Sequence, residues 1–343
     1  MAAKIRQGKV WEYDFWYKFF KPYVVWAVRG CYSRITVSGV ENVPDPRDAS
    51  VLFAPNHCNT LMDALVLLQT RKDPTSFVAR ADIFKNPFIA YILGKLRILP
   101  IYRKRDGVDT RTMNADVFDN VVDSLVHGVP LAIYPEGTHR PRRSLLPLKK
   151  GVLRIARQAA VMYPSRPSYI VPVGVTYADF FNIMRPVEVR FGEAVKVDGD
   201  VDVDLDLAVV DLSERMSKLF VCFPDDENLD AAEAGYEASL KKHYSFAWYL
   251  AALVLLPVWL AAGVLCSPMI AASLLAQSKI RDRAWYNTAR FVSKLFLTPL
   301  TVLCALIAGF SHLPWYGAVL LALATLYAHP VFYRILAFYR DLR

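Results

Sequence analysis

The sequence has 343 residues, of which 54% are hydrophobic and 13% aromatic, and its formal net charge is +9. A basic and strongly apolar chain suits anionic lipid surfaces or phosphorylated substrates better than a freely soluble existence. Basic proteins also bind nucleic acid, but no zinc-ligand spacing, recognition-helix pattern or aromatic strand motif is present, which argues against that partner.

The first predicted element is an aromatic helix within residues 1–34. Nine aromatic residues lie between Trp11 and Trp26, with five lysines and arginines nearby. This pattern is typical of a helix at a membrane interface, here kinked or restarted at Pro22. The alternative is that the same helix packs on a protein core. Both interpretations are compatible if one face of the helix contacts the membrane and the opposite face contacts the core. Charges interrupt the aromatic run, so no cleavable signal is predicted, and the following domain is expected in the cytoplasm.

Residues 35–200 alternate short apolar runs with helical patterns, which predicts an α/β domain built from parallel units. The predicted strands are 35–40, 50–57, 76–80, 97–102, 130–137, 169–177 and 187–195. The predicted helices are 60–70, 83–96, 109–127 and 148–161. The domain is expected to have a core of its own.

Residues 201–243 are predicted to be an acidic linker with one amphipathic helix at 207–221. The linker begins within "DGDVDVDLDL" at 198–207, in which five aspartates alternate with other residues. That run is similar to a calcium loop but lacks the closing glutamate, so a solvated linker is preferred and no metal site is predicted.

Residues 244–343 are predicted to form membrane hairpins. Neither Tyr244–Gln277 nor Leu295–Tyr333 contains Asp, Glu, Lys or Arg, and basic residues flank both segments. Such segments span a membrane or re-enter it, and basic flanks on both sides favour a return to the cytoplasm. The first segment is short for two full crossings, so the number of crossings stays open. Buried helices of a soluble domain would need a protein shell that this chain cannot supply.

The stretch "NHCNTLMD" places His57 at the end of a predicted strand and Asp63 in the first turn of the next helix. Open α/β sheets carry their sites at this edge, so a base and an orienting carboxylate are one interpretation. The other is a capping box from Thr60 to Asp63, in which the carboxylate only satisfies a backbone donor.

Three more blocks follow in order: "RILPIYR" at 97–103, "YPEGTHR" at 134–140 and "IVPVGV" at 170–175. Together with the His-Asp block they resemble the PlsC-type glycerophospholipid acyltransferases over residues 36–195. The resemblance implies a PlsC-type α/β domain with a mixed, largely parallel sheet. It also implies transfer of a fatty acyl group from acyl-CoA or acyl carrier protein to a hydroxyl of lysophosphatidate or glycerol-3-phosphate, with no cofactor and no metal.

The resemblance also assigns roles to residues. His57 is implied as the general base and Asp63 as the carboxylate that orients it. The phosphate and glycerol of the acceptor are implied to bind Arg103, Glu136, Gly137, Thr138 and Arg140. A carboxylate repels phosphate, so Glu136 either holds its loop or binds an acceptor hydroxyl.

Two features depart from the common family pattern. Five residues separate His57 from Asp63 instead of four, which is similar to the fungal-type glycerol-3-phosphate and dihydroxyacetone-phosphate acyltransferases. Arg97 stands where many relatives have glycine, and either contacts phosphate or faces solvent. Lys149 and Lys150 meet phosphate or the nucleotide end of the donor, or are simply solvated.

Other classes of function remain alternatives. Cys58 beside His57 suggests a thiol enzyme, although the side chains of two adjacent residues rarely point to the same site. The other cysteines are widely spaced, with no Cys-x-x-Cys, so neither a disulfide framework nor a zinc site is predicted; they are Cys31, Cys222, Cys266 and Cys304. A transporter would place charged residues in its apolar segments, and these segments contain no Asp, Glu, Lys or Arg. An inactive lipid-binding scaffold with the same fold, or an acyltransferase for another lysolipid, also fits the composition.

Overall fold

The computed structural model describes residues 11–12, 15–102, 110–199, 204–241 and 244–342. Within these ranges one sheet contains eight strands: β1 (Tyr32–Ser38), β2 (Ser50–Pro55), β3 (Ser76–Arg80), β4 (Ile98–Ile101), β5 (Leu131–Ala132), β6 (Ser168–Tyr177), β7 (Arg185–Phe191) and β8 (Val195–Val197). The predicted strand 187–195 is divided between β7 and β8, and the predicted strand 130–137 is shortened to β5.

The described residues also contain eleven α-helices: α1 (Phe15–Arg29), α2 (Leu61–Thr70), α3 (Pro87–Lys95), α4 (Thr110–Val126), α5 (Gly151–Met162), α6 (Leu205–Ser217), α7 (Leu229–Ser239), α8 (Phe246–Leu265), α9 (Ser267–Lys279), α10 (Tyr286–His312) and α11 (Trp315–Asp341). The order of strands and helices up to residue 199 is the alternation that the sequence predicts. Helix α7 lies in a stretch for which only an acidic linker is predicted.

The sheet is mixed and largely parallel. Its strand order is β1-β7-β6-β2-β5-β3-β4, with β8 also paired to β6. All neighbouring strands are parallel except β6 with β7 and β6 with β8, which are antiparallel. The predicted α/β fold with a mixed, largely parallel sheet is therefore confirmed. Because β2 and β5 are parallel neighbours, their carboxyl ends lie at the same edge of the sheet.

Helices cover both faces of the sheet, and the central strand β2 shows why. All six of its residues are buried. Val51 and Phe53 belong to the core formed with α1 and α2, whereas Leu52 and Ala54 belong to the core formed with α4, α5 and α6. A strand that is buried on both faces loses the polar-apolar alternation of a half-exposed strand. The continuous apolar run before His57 follows from this three-layer arrangement.

The last four helices, residues 244–342, form what we call the helical unit. Helix α8 packs against α11, α9 packs against α10, and α10 and α11 form a hairpin. At the tip of that hairpin Gly309 allows close approach, because a Cβ atom there would lie 2.7 Å from the Cα atom of Ala318. Three helices are long and apolar enough to cross a membrane: Phe246–Leu265, Arg283–His312 and Trp315–Asp341. The 13-residue helix α9 is too short for a full crossing.

The helical unit shares a core with the α/β domain. Phe291 of α10 and Tyr333 of α11 are buried in the same apolar cluster as Val28 of α1 and Met62 of α2. Polar contacts cross the same boundary, since the buried Lys294 donates to the Ala27 carbonyl at 3.0 Å. The expectation that the domain has a core entirely of its own is therefore wrong. The change of composition at residue 244 marks the point where the exposed surface becomes apolar, whereas the buried core continues across it.

Helix α1 has two different faces. Phe15, Trp16 and Phe19 are more than half exposed, whereas Tyr17 and Ala27 are buried. The helix continues through Pro22 without a break. The structure thus gives α1 one face packed on the core and one apolar face turned outward, as both interpretations of this helix require.

Candidate active site

His57 and Asp63 are brought together by the turn between β2 and α2. His57 lies two residues after the end of β2, and Asp63 lies in the first turn of α2. The Nδ1 atom of His57 lies 2.7 Å from Oδ2 of Asp63. Asp63 is completely buried, while the side chain of His57 is 18% exposed. A carboxylate can only accept a hydrogen bond, so Nδ1 of His57 carries the proton and donates it, which leaves Nε2 as the nitrogen that can accept a proton.

The turn before α2 absorbs the five-residue spacing. Asp63 Oδ2 also accepts hydrogen bonds from the backbone N–H groups of Cys58 and Asn59, at 2.9 and 2.7 Å. Thr60 precedes the helix with φ 49°, a left-handed conformation that is strained for a β-branched residue. It makes no side-chain capping hydrogen bond to the helix. The capping-box alternative is therefore not formed, although Asp63 does satisfy two backbone donors besides His57.

Glu136 supports His57 from the neighbouring loop. Its Oε1 atom accepts the backbone N–H of His57 at 2.6 Å, and its Oε2 atom accepts that of Leu146 at 3.0 Å. Glu136 is buried, and this burial raises the pKa of its carboxyl to about 7 even though both hydrogen bonds lower it. The backbone N–H of Arg140 donates to the His57 carbonyl at 3.0 Å. The Pro-Glu-Gly-Thr loop thus holds both backbone groups of the histidine.

Two aromatic rings flank the imidazole of His57. The ring of Tyr134 stacks on it with centroids 4.2 Å apart and planes 26° apart. The ring of His139 stands nearly perpendicular to it, with centroids 5.7 Å apart. The imidazole is therefore fixed by packing as well as by its hydrogen bond, and it keeps one path to solvent.

The remaining predicted residues differ in their surroundings. Gly137, at φ 69°, and Thr138 are exposed, in the loop between Glu136 and His139. The guanidinium of Arg140 donates to Asp225 at 2.8 Å and to Ser144 at 2.6 Å, so its Nη2 atom is already engaged with a carboxylate. Arg103 lies outside the residues that the structure describes. The acceptor-binding roles of all these residues, and of Glu136, stay predictions.

Arg97 and the two lysines can now be placed. Arg97 is buried, with its guanidinium 4.8 Å from the ring centre of Tyr17, so it does not face solvent. Its φ of 61° is in the left-handed region that favours glycine, which gives a physical reason for a glycine in many relatives. Lys150 is paired with Asp206 at 2.7 Å. Lys149 is exposed, and its Cγ atom lies beside Gly137.

Cys58 is poorly suited to act as a nucleophile. It is 4% exposed, and burial together with the neighbouring carboxylates of Asp63 and Glu136 raises the pKa of its thiol well above the ordinary value. The thiolate, and not the thiol, is the reactive form of cysteine. These surroundings argue against the thiol-enzyme alternative.

Sequence reasoning missed the contribution of the helical unit to this site. Asp282 accepts a hydrogen bond from Nε2 of His139 at 2.7 Å, and the ring of Trp285 lies edge-on to His139 with centroids 5.9 Å apart. Thr288 shares a 2.9 Å hydrogen bond with Thr60. Nothing in the local pattern around residues 280–288 marks them as site residues. Only the adjacency of His139 to the Glu-Gly-Thr block could have drawn attention to this side.

Comparison with known proteins finds a matching family model for part of the chain. Residues 34–176, about two-fifths of the chain, match the family model described as Acyltransferase. Over this segment the chain is similar to the acyltransferase family, as the resemblance to PlsC-type enzymes predicts.

Individual relatives agree with this assignment. The chain is 27% identical over 139 residues to a chloroplastic 1-acyl-sn-glycerol-3-phosphate acyltransferase of Arabidopsis thaliana, covering 40% of this chain and 37% of the relative. It is 34% identical over 86 residues to glycerol-3-phosphate O-acyltransferase 2 of Saccharomyces cerevisiae, covering 25% of this chain and 12% of the relative. The chain therefore spans well under half the length of these relatives.

One solved structure is also similar. It is the crystal structure of the 1-acyl-sn-glycerophosphate acyltransferase PlsC from Thermotoga maritima, with 21% sequence identity and a TM-score of 0.44. The match covers 59% of this chain and 78% of that one.

Proposed function

We propose that this protein is a membrane-bound O-acyltransferase of phospholipid biosynthesis. It transfers a fatty acyl group from acyl-CoA or acyl carrier protein to a hydroxyl of lysophosphatidate or glycerol-3-phosphate. The observation that carries the proposal is the 2.7 Å contact between His57 and a fully buried Asp63, inside the segment that matches the acyltransferase family. The names of the relatives support both acceptors, because the match includes acyltransferases of each kind.

The geometry suits activation of an acceptor hydroxyl. Nε2 of His57 takes the hydroxyl proton as the hydroxyl oxygen attacks the thioester carbonyl carbon. The negatively charged Asp63 holds the ring in the required tautomer and stabilises the imidazolium that forms. When the carbon–sulfur bond breaks, the departing thiolate takes the proton back from the imidazolium. The products are the new ester and the free thiol of the donor, and His57 returns to its neutral form.

The exposed loop next to His57 suits a phosphorylated acceptor. Gly137 and Thr138 are exposed in the loop between Glu136 and His139, and Gly137 permits close approach of a ligand. Lys149 places a cation beside this loop. In this proposal Arg103 contributes a guanidinium from the end of the apolar block that begins at Arg97, and Arg140 reaches the phosphate by exchanging its contact with Asp225.

We place the active site at the cytoplasmic face of a bilayer. Three helices of spanning length and the exposed aromatic face of α1 support membrane attachment. Electrostatic adsorption to anionic lipid weakens with salt, whereas inserted helices are not released by it. Full-length protein should therefore stay in the membrane fraction through a high-salt wash and leave it only in detergent. Recovery in the salt supernatant would contradict membrane insertion.

The direct test is an acyl-transfer assay on protein purified in detergent. Acyl-CoA and acyl carrier protein are each combined with glycerol-3-phosphate, lysophosphatidate and a second lysolipid, and the acylated lipid product is measured. We expect transfer to at least one glycerol phosphate acceptor, with His57→Ala as the matched inactive control. Folded protein that transfers to none of these acceptors would support the inactive scaffold. Transfer to the second lysolipid alone would assign another acyltransferase specificity.

A further inference from the structure

The helical unit reaches the active site through the short connection between α9 and α10. Asp282 begins a 3₁₀ turn at Arg283–Trp285, and its Oδ1 atom accepts the backbone N–H of Ala284 at 2.9 Å. Its other carboxylate oxygen lies 2.7 Å from Nε2 of His139. One end of the carboxylate is thus fixed by its own turn, while the other holds a side chain of the Pro-Glu-Gly-Thr loop.

A second contact fixes the same connection on the opposite side of His57. The hydroxyl of the buried Thr60, three residues after His57, lies 2.9 Å from the hydroxyl of Thr288 and 3.4 Å from the Ala284 carbonyl. The connection therefore touches both chain segments that surround the catalytic histidine. Its position relative to His57 is determined at two points.

The chemistry of the pair determines which atom of His139 is available. Hydrogen bonds from His139 and from the Ala284 N–H lower the pKa of Asp282, outweighing the larger single effect of partial burial, which raises it. Asp282 is consequently a carboxylate at neutral pH and can only accept a hydrogen bond. Nε2 of His139 therefore carries the proton and donates it to Asp282. Nδ1 of His139 is then the ring nitrogen that can accept a hydrogen bond, on a side chain that is 22% exposed and contacts the ring of His57.

We infer that His139, oriented by Asp282 of the helical unit, binds the polar head group of the acceptor beside the reacting hydroxyl. The inference rests on the proposed function and adds a substrate contact to it. His139 touches the acceptor through Nδ1, and Asp282 acts through His139 as a positioning residue. The edge of Trp285 closes the far side of the His139 ring. The imidazoles of His57 and His139 are in edge-to-face contact, with centroids 5.7 Å apart, so an acceptor bound here reaches both rings from their exposed side.

The arrangement explains why the helical unit is built into the domain. The same helices that hold the protein at a bilayer supply the residue that orients an acceptor contact. Acceptor binding, unlike proton transfer, depends on the position of the helices.

The test compares KM values for acceptor and donor in full-length protein. The variants are His139→Ala, His139→Gln and Asp282→Asn. The matched control is His127→Gln, which alters the pair that His127, just after α4, forms with Asp123. Loss of one hydrogen bond to a polar substrate group is expected to raise the acceptor KM about tenfold in His139→Ala. The acceptor KM should rise by a smaller factor in Asp282→Asn, and the donor KM should change less than about twofold.

The outcomes are distinct. Equal changes in both KM values, or an acceptor KM in His139→Ala within about twofold of the wild-type value, would overturn the inference. If His139→Ala does not fold, His139→Gln and Asp282→Asn decide by the same ratio of acceptor to donor KM. If the wild-type protein transfers no acyl group to any acceptor, the proposed function fails first, whereas an active wild type with unaffected variants refutes only the role of His139.

Discussion

The two sides of His57 are built in different ways. On one side Asp63 and Glu136 are buried, and they hold the side chain and backbone of the histidine through contacts within the α/β domain. On the other side His139 and Asp282 are partly exposed, and they join a domain loop to the helical unit. The buried side fixes the proton acceptor. The open side determines how the acceptor is presented, so chemistry and substrate binding depend on different parts of the chain.

Removal of residues 244–343 is the largest change that tests this division. A catalytic side that stood alone would survive it, but the cut removes Phe291 and Tyr333 from a shared core. It also removes the donors to the carbonyls of Ala27 and Phe180. We expect the truncated protein to aggregate, as measured by size-exclusion chromatography in detergent. Co-expression of residues 244–343 as a separate chain is the control and should restore a monodisperse peak. A monodisperse truncated domain that unfolds like the full-length protein would refute the shared core.

Substitutions on the buried side come next in size. General-base catalysis contributes roughly two to four orders of magnitude, so His57→Ala should lower turnover by that factor without unfolding the protein. Asp63→Asn should lower turnover severely but less than His57→Ala, and it should also destabilise the turn. The reason is that Asp63 accepts from the Cys58 and Asn59 backbone as well as from His57. Turnover and thermal unfolding are measured on the same samples. Near-normal turnover in folded samples of both variants would show that another group is the base.

The raised pKa of Glu136 predicts that the stability of the protein depends on pH. Its folded pKa of about 7 lies above the ordinary value of 4.5. Between these values the native state holds a proton that the unfolded state has released. The contribution of protonated Glu136 to the free energy of unfolding is therefore fully present below pH 4.5 and is lost as pH rises through 7. The difference of about 2.5 pH units corresponds to roughly 3 kcal/mol of unfolding free energy.

The matched comparison is Glu136→Gln, whose side chain does not titrate. Thermal unfolding in detergent is followed from pH 4.5 to 8 for both proteins. The wild-type protein should lose stability relative to the variant over this range. Parallel curves would show that the carboxyl of Glu136 is not perturbed.

Much of this architecture could be predicted from local sequence patterns. The position of His57 and Asp63 between a buried strand and a helix left their pairing and a capping role both open, and the resemblance of the other three blocks to the PlsC-type family favoured the pairing. The uncharged helices were predictable because composition alone indicates segments that are long and apolar enough to cross a membrane. Helix α7 was not predicted because its alanine-rich pattern carries many acidic residues and only one buried apolar side chain, Leu229.

The open side of the site could not be predicted in this way. His139 and Asp282 are 143 residues apart, and neither lies in a pattern that indicates the other. Their pairing is a consequence of how α10 packs on α1 and α2, which depends on the buried contacts of Phe291 and Thr288. The same packing explains why the core crosses residue 244, although the composition changes there.

Release of free CoA from labelled acyl-CoA, with and without acceptor, tests the central claim most directly. If His57 activates the acceptor hydroxyl for direct attack, CoA should appear only when a glycerol phosphate acceptor is present. No acyl label should remain on the protein after denaturation. Cys58, as a buried thiol with a raised pKa, is not expected to be acylated. Rapid CoA release without acceptor, with label bound to the protein, would instead show an acyl-enzyme intermediate and contradict the assignment of His57 as base for the acceptor.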